Sequence, residues 1–192
     1  MSKENFILSE NEKVQLLEIA RSTIVSFLTN GKLSHIKKDD LSPNLKSECG
    51  CFVSLHKKGA LRGCIGRFKA NTPLYEIVQK MAVSSATQDD RFSIVEIEEM
   101  NNIEIEISVL TPLTKIESID EIEMGKHGIY IKKGFSSGTF LPQVAIETGW
   151  TKEEYLGHCA KNKVGLSWDG WKEAEIYTFE ALVFGETKHK KI

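Results

Sequence analysis

Cys51-Phe52-Val53-Ser54-Leu55-His56, then Lys57-Lys58-Gly59, then Leu61-Arg62-Gly63-Cys64-Ile65-Gly66 is the stretch that decides the fold. Two short runs rich in apolar and β-branched residues, separated by a glycine-containing turn, read as a β-hairpin. A hairpin builds antiparallel sheet, since parallel strands need a long crossover between them. The question for the rest of the chain is whether its helices alternate with single strands or punctuate hairpins.

Upstream, Ser9-Glu10-Asn11-Glu12 is a capping-box pattern followed by Val14, Leu17, Ile24 and Leu28 at helical spacing, with Gly31 placed to stop the helix. Residues 9–30 are expected to be helical, and the aperiodic residues 32–47 a surface loop. Downstream, Thr72 reads as the cap of a helix with Pro73 at its first position, and Leu74, Ile77, Val78, Met81, Ala82 and Ser85 trace a core-facing stripe that ends near Thr87. Residues 102–110 alternate, with Ile103, Ile105, Ile107 and Val109 toward a core and Glu104, Glu106 and Ser108 toward water.

Ser118-Ile119-Asp120-Glu121 suggests a helical turn, Gly125-Lys126-His127-Gly128 a turn, and Ile129-Tyr130-Ile131 a strand. Pro142 opens a short helix through Glu147, and Thr151-Lys152-Glu153-Glu154 caps another that carries Tyr155, Leu156, Cys159 and Ala160, with His158 at its solvated edge. Residues 175–184 read as one strand with Tyr177, Phe179, Ala181 and Val183 on one face, before a frayed basic tail over 187–192. Helices therefore punctuate hairpins, which gives an α+β fold of antiparallel sheets with packed helices rather than a doubly wound sheet. A single domain over residues 9–186 is expected, built of two closely packed subdomains.

The 192 residues, 41% hydrophobic and 27% charged, suit a globular chain with a sizeable core. Twenty-five basic against 27 acidic residues give a net charge of -2, so no global positive field draws nucleic acid or anionic lipid. No apolar run approaches the roughly 18–20 residues that span a bilayer, and the first residues lack a signal peptide's pattern, so a cytoplasmic location is expected. Four cysteines (Cys49, Cys51, Cys64, Cys159) are expected as thiols.

The chemistry-bearing residues concentrate in the hairpin. Strand alternation puts Arg62 and Cys64 on one face, while Gly63 and Gly66 leave room beside them. At roughly 7 Å along a strand, the guanidinium of Arg62 favours the thiolate of Cys64. Cys64 is thus either a nucleophile facing a ligand or a small buried hydrophobe whose glycines mark a bulge. Cys49, Cys51, Cys64 and His56 lack zinc-site spacing and no iron–sulfur cysteine cluster exists, so no metal and no cofactor is expected. His127, between glycines, reads as proton acceptor, anion contact or plain turn residue. Glu106 and Ser108 read as one cleft wall or as a solvated face, and Asp89-Asp90-Arg91-Phe92 as helix-end solvation or an arginine reaching into a pocket. Phosphate-loop, zincin and Gly-x-Ser-x-Gly patterns are absent.

These segments, together with Ile105-Glu106-Ile107-Ser108-Val109-Leu110, Gly125-Lys126-His127-Gly128 and Leu141-Pro142-Gln143-Val144-Ala145, resemble the AMMECR family, which appears in prokaryotes as AmmeMemoRadiSam system protein A. The resemblance runs from about residue 10 to Glu186, with Asp90 where the family has proline. It implies an α+β fold of a larger and a smaller subdomain with the motifs gathered at a cleft. It also implies Cys64, Glu106 and His127 as catalytic candidates and Arg62, Gly63, Gly66, Asp89, Arg91, Ser108 and Gln143 as substrate-binding candidates. The implied partners are a Memo-like protein and a radical-SAM protein, the second of which would carry the radical chemistry. Two functions stay open: a cysteine-dependent transferase or hydrolase acting on a small anionic or nucleotide-like substrate, and a non-catalytic ligand-binding or accessory module.

Overall fold

The computed structural model describes residues 7–68 and 71–186; the basic tail lies outside the described residues. The described residues form two compact units, one running up to Leu110 and resuming at Leu182, and one over residues 111–181. The architecture is α+β, with two four-stranded sheets.

In the first unit, α1 (Glu10–Asn30) starts on the Ser9 capping box and stops where Gly31 takes a left-handed φ of 71°. Its core face runs through Leu16, Leu17, Ala20, Thr23 and Ile24, whereas Val14 is exposed. Strands β1 (Gly50–Lys57) and β2 (Ala60–Arg67) form the expected hairpin. Lys58 and Gly59 both have positive φ, as a two-residue hairpin turn requires. Helix α2 (Leu74–Thr87) begins one residue later than its sequence suggests, because Pro73 adopts the extended cap conformation, not helical φ/ψ. Its buried stripe is also broader, taking in Tyr75, Gln79, Val83 and Ala86.

Strand β3 (Ile103–Leu110) pairs antiparallel with β1, and the sheet order is β2-β1-β3-β8 with β8 at Ala181–Gly185. One face of this sheet packs against α1 and α2, where Val53, Leu55, Ile105 and Ile107 are buried. Each such burial contributes roughly 1.5–3 kcal/mol.

The second unit holds β4 (Thr114–Lys115), β5 (Gly128–Lys133), β6 (Ser136–Phe140) and β7 (Glu175–Phe179) in the order β4-β7-β5-β6. Its short helices are α3 (Pro142–Thr148) and α4 (Lys152–Cys159), the second entered through the Thr151 capping box. A separate core of Ile122, Ile129, Ile131, Tyr155 and Leu156 fills it.

Residues 175–184 are therefore two strands, not one. The chain breaks at Glu180 and changes sheet, and the core side is that of Ile176 and Thr178, then Phe184, rather than that of Tyr177, Ala181 and Val183, while Phe179 of the expected set is buried. His158 is likewise no solvated edge. Its ring stacks on Trp150 at 3.9 Å and meets the edge of Trp168 at 4.8 Å.

Candidate functional site

A β-bulge decides what β2 presents. From the turn, Lys57 pairs with Ala60 and His56 with Leu61, but Leu55 then pairs with Gly63 and Ser54 with Cys64. Arg62 is the extra residue opposite nothing. Without the bulge, Cys64 would face Val53 and lie under α2. The added residue turns it to the other face, beside Ser54.

Ser54 opposes both Cys64 on β2 and Glu106 on β3, so the three form one row across the sheet. A parallel row runs Gly66, Phe52, Ser108. The Ser54 hydroxyl donates to Cys64 Sγ at 3.2 Å. Ser108 and Ser54 are buried, so this face is not the wet one that alternation suggests.

The glycines of the motif admit protein atoms, not a ligand. A Cβ on Gly63 would stand 2.2 Å from the Ser85 carbonyl oxygen, and one on Gly66 equally close to the Phe52 ring. Gly63 thus lets α2 approach the hairpin. There the Ser85 hydroxyl accepts from Ile65 N–H at 2.9 Å and donates to the Val53 carbonyl at 2.7 Å, bridging the β1–β2 ladder.

Because β2 is an edge strand, its outward backbone groups need partners. Asp89 Oδ2 accepts from Cys64 N–H at 2.8 Å, and the Arg91 guanidinium donates to the Cys64 carbonyl at 3.3 Å. Arg91 and Asp89 pair at 2.7 Å, and that guanidinium together with the backbone N–H groups holds the Asp89 carboxyl down at about 2. Arg62 is turned elsewhere. It pairs with Glu99 at 2.8 Å and donates to the Ser93 carbonyl at 2.8 Å. With Lys57 also on Glu99 at 2.6 Å, the Glu99 carboxyl is held at about 2.

The expectation that Arg62 favours the Cys64 thiolate is thereby corrected. Burial is the largest influence and pushes the thiol up; Ser54 and the charge of Arg91 oppose it, while Asp89 and Glu106 push it further up. Cys159, fully buried in α4, is pushed up to about 12.

His127 and Gln143 belong to the second unit. The His127 Nδ1 accepts from the Glu123 N–H at 3.0 Å, which leaves the neutral ring's proton on Nε2 and removes Nδ1 as a base. Gln143 sits half-buried on the first turn of α3. Gly125 brings the 125–128 turn against that helix, its added Cβ falling 3.2 Å from Ile146. Sequence reasoning missed Ser54 and Glu99. Ser54 is found only through the bulged register, and Glu99 only through the fold of the 88–102 segment. Among the described residues no group of three or more His, Cys, Asp or Glu is placed to hold a metal, and no helix is long and apolar enough to cross a membrane.

The AMMECR1 family pattern matches residues 17–184. A protein of Methanosarcina mazei is 41% identical over 188 residues, covering 94% of each chain. The Methanopyrus kandleri protein MK0488 is 41% identical over 194 residues, covering 95% of this chain and 91% of its own. The crystal structure of PH0010 from Pyrococcus horikoshii superposes with a TM-score of 0.84 at 39% identity over 90% of both chains. On these matches, this chain belongs to the AMMECR1 family.

Proposed function

We propose that the protein is a non-catalytic ligand-binding or accessory module that works beside a Memo-like protein and a radical-SAM protein. Its binding floor is the sheet face with Cys64, Ser54, Glu106 and Ser108. The observation that supports this reading is the setting of Cys64. Burial pushes its thiol up against the opposing effect of the Ser54 hydroxyl that donates to its sulfur, and among the described residues no imidazole or carboxylate side chain hydrogen-bonds to it. A nucleophilic cysteine needs the reverse, a thiolate with a base beside it.

The ligand chemistry follows from which charges are spent. Arg62 is paired with Glu99, which it shares with Lys57, and Arg91 with Asp89. The half-buried Glu106 carboxylate carries no hydrogen bond or ion pair among the described residues. The face therefore suits a ligand that brings N–H donors or positive charge, rather than the small anion that two free arginines would select. The partners rest on the family resemblance alone.

The test is complementation of a deletion strain with Cys64→Ala or Glu106→Gln, scored by untargeted metabolite comparison with wild type. Cys64→Ala is expected to restore the wild-type profile and Glu106→Gln to leave it altered. A folded Cys64→Ala protein that fails to restore it would transfer the assignment to the cysteine-dependent transferase or hydrolase.

A further inference from the structure

The bulged Arg62 has a task at the edge of the first sheet that the Cys64 face does not use. Its guanidinium donates to the Ser93 carbonyl at 2.8 Å, to the Ile94 carbonyl at 3.3 Å and to Glu99 at 2.8 Å. Lys57 meets the same Glu99 at 2.6 Å. Val95 is buried, and its N–H donates to the Ala86 carbonyl at 2.8 Å. The segment between α2 and the 3-10 turn Ile97–Asn102 is thereby pinned both to the hairpin and to the last turn of α2.

What this pinned segment turns outward is apolar. Ile94 is 62% exposed, Ile97 38%, and Leu61, the residue before Arg62, 39%. A single exposed aliphatic side chain is ordinary, but these three lie on two segments joined through one guanidinium and one carboxylate. The patch is therefore formed before anything docks on it, and a partner is spared the cost of ordering it.

Charge narrows the partner's class. Asp90, Glu96 and Glu98 are exposed and enter no ion pair among the described residues. Glu96 and Glu98 flank Ile97 on its two sides. Of the cations in residues 57–62 and 88–99, Lys57 and Arg62 are held by Glu99 and Arg91 by Asp89, which leaves Lys58 at the tip of the hairpin. An acidic rim around an apolar centre repels nucleic acid, anionic lipid and a second copy of the same patch.

We infer that Leu61, Ile94 and Ile97 form a docking surface for a basic amphipathic segment of a partner protein. Its apolar side chains would rest on the three aliphatic residues and its lysines or arginines on Glu96, Glu98 and Asp90. The surface uses none of the residues of the binding floor proposed around Cys64.

The isotope-labelled full chain is titrated with a synthetic helical peptide that carries leucines on one face and lysines on the other, and with a counterpart that has glutamates for the lysines. The readouts are the amide resonances of Leu61, Ile94 and Ile97. The lysine peptide is expected to shift them saturably and the glutamate peptide to leave them in place. Ile94→Ser, at an exposed position, is expected to weaken the lysine peptide about fivefold. Glu96→Gln combined with Glu98→Gln is expected to weaken it about fivefold at low salt, a loss that vanishes at about 0.5 M salt. Shifts centred elsewhere on the chain, an equal response to the glutamate peptide, or an affinity unchanged in Ile94→Ser overturns the inference. Concentration-dependent self-association of the free chain that Ile94→Ser abolishes overturns it as well, by giving the patch to a second copy.

Discussion

Cys64 shows how far a single residue's chemistry depends on its neighbours. Along an unbroken strand it shares a face with Arg62, and the thiolate is favoured. In the folded chain the bulge assigns Arg62 to Glu99, and the cation acting on the thiol is Arg91. Iodoacetamide labelling against pH, resolved by peptide mass spectrometry, separates the two arginines. Arg91→Gln is expected to slow Cys64 labelling about threefold at neutral pH and to move the half-maximal rate to higher pH, a small effect because the Arg91 side chain is half-exposed. Arg62→Gln is expected to leave the profile unchanged. A response to Arg62→Gln alone would contradict the register described above. The residues themselves were legible as a motif, but the partners that set their protonation were not, because those partners are 10 to 37 positions away in sequence.

At the scale of elements, Asp89 and Arg91 act as a latch on the open edge of β2. Their position just past α2 is what lets a helix end reach the backbone of a strand. The Asp89 carboxyl stands at about 2, below its ordinary 3.8. A lowered carboxyl contributes stability that is complete above the unfolded value and is lost as pH falls through the folded one. For Asp89 the contribution is about 2 kcal/mol at pH 7, lost between about pH 4 and pH 2. Urea midpoints from pH 7 to pH 2 are expected to fall more steeply in this window for the wild type than for Asp89→Asn, which begins lower at pH 7. Parallel slopes would show that Asp89 does not latch the strand. Helix caps and the hairpin were legible in the sequence because their signals are local: Ser9 with Glu12, Thr151 with Glu154, and Lys58-Gly59 at positive φ. The wrong face assigned to residues 175–184 has the opposite origin: alternation defines two faces but not which of them each sheet turns to its own core, and that side is taken by Ile176, Thr178 and Phe184.

For the whole molecule, the chain leaves the first unit after Leu110 and returns to it at Leu182. Just inside these crossings, Thr111 N–H donates to the Glu180 carbonyl at 2.9 Å and Glu180 N–H donates to the Thr111 hydroxyl at 2.8 Å. This reciprocal pair ties the outgoing strand to the returning one. Thr111→Val keeps the branched shape and removes the acceptor of the Glu180 N–H. It is expected to cost about 1 kcal/mol in urea unfolding and to raise Glu180 amide exchange about fivefold. An unchanged exchange rate would show that the pair does not close the connection.

The sequence by itself determined the class of the fold, the positions of its helices and the family motifs, because periodicity, caps and turn residues act within a few positions of themselves. It did not determine which side of the sheet Cys64 occupies, since one inserted residue at Arg62 reverses every side chain beyond it. Nor did it determine the role of the motif glycines, which are fixed by the close packing of Ser85 on Gly63 and of Phe52 on Gly66. Charge was the last matter left to tertiary structure. Arg62 and Arg91 read as free cations in the chain and are paired in the fold: the buried guanidinium of Arg62 is tolerated only with a carboxylate against it, which Glu99 supplies, and the half-exposed Arg91 meets Asp89.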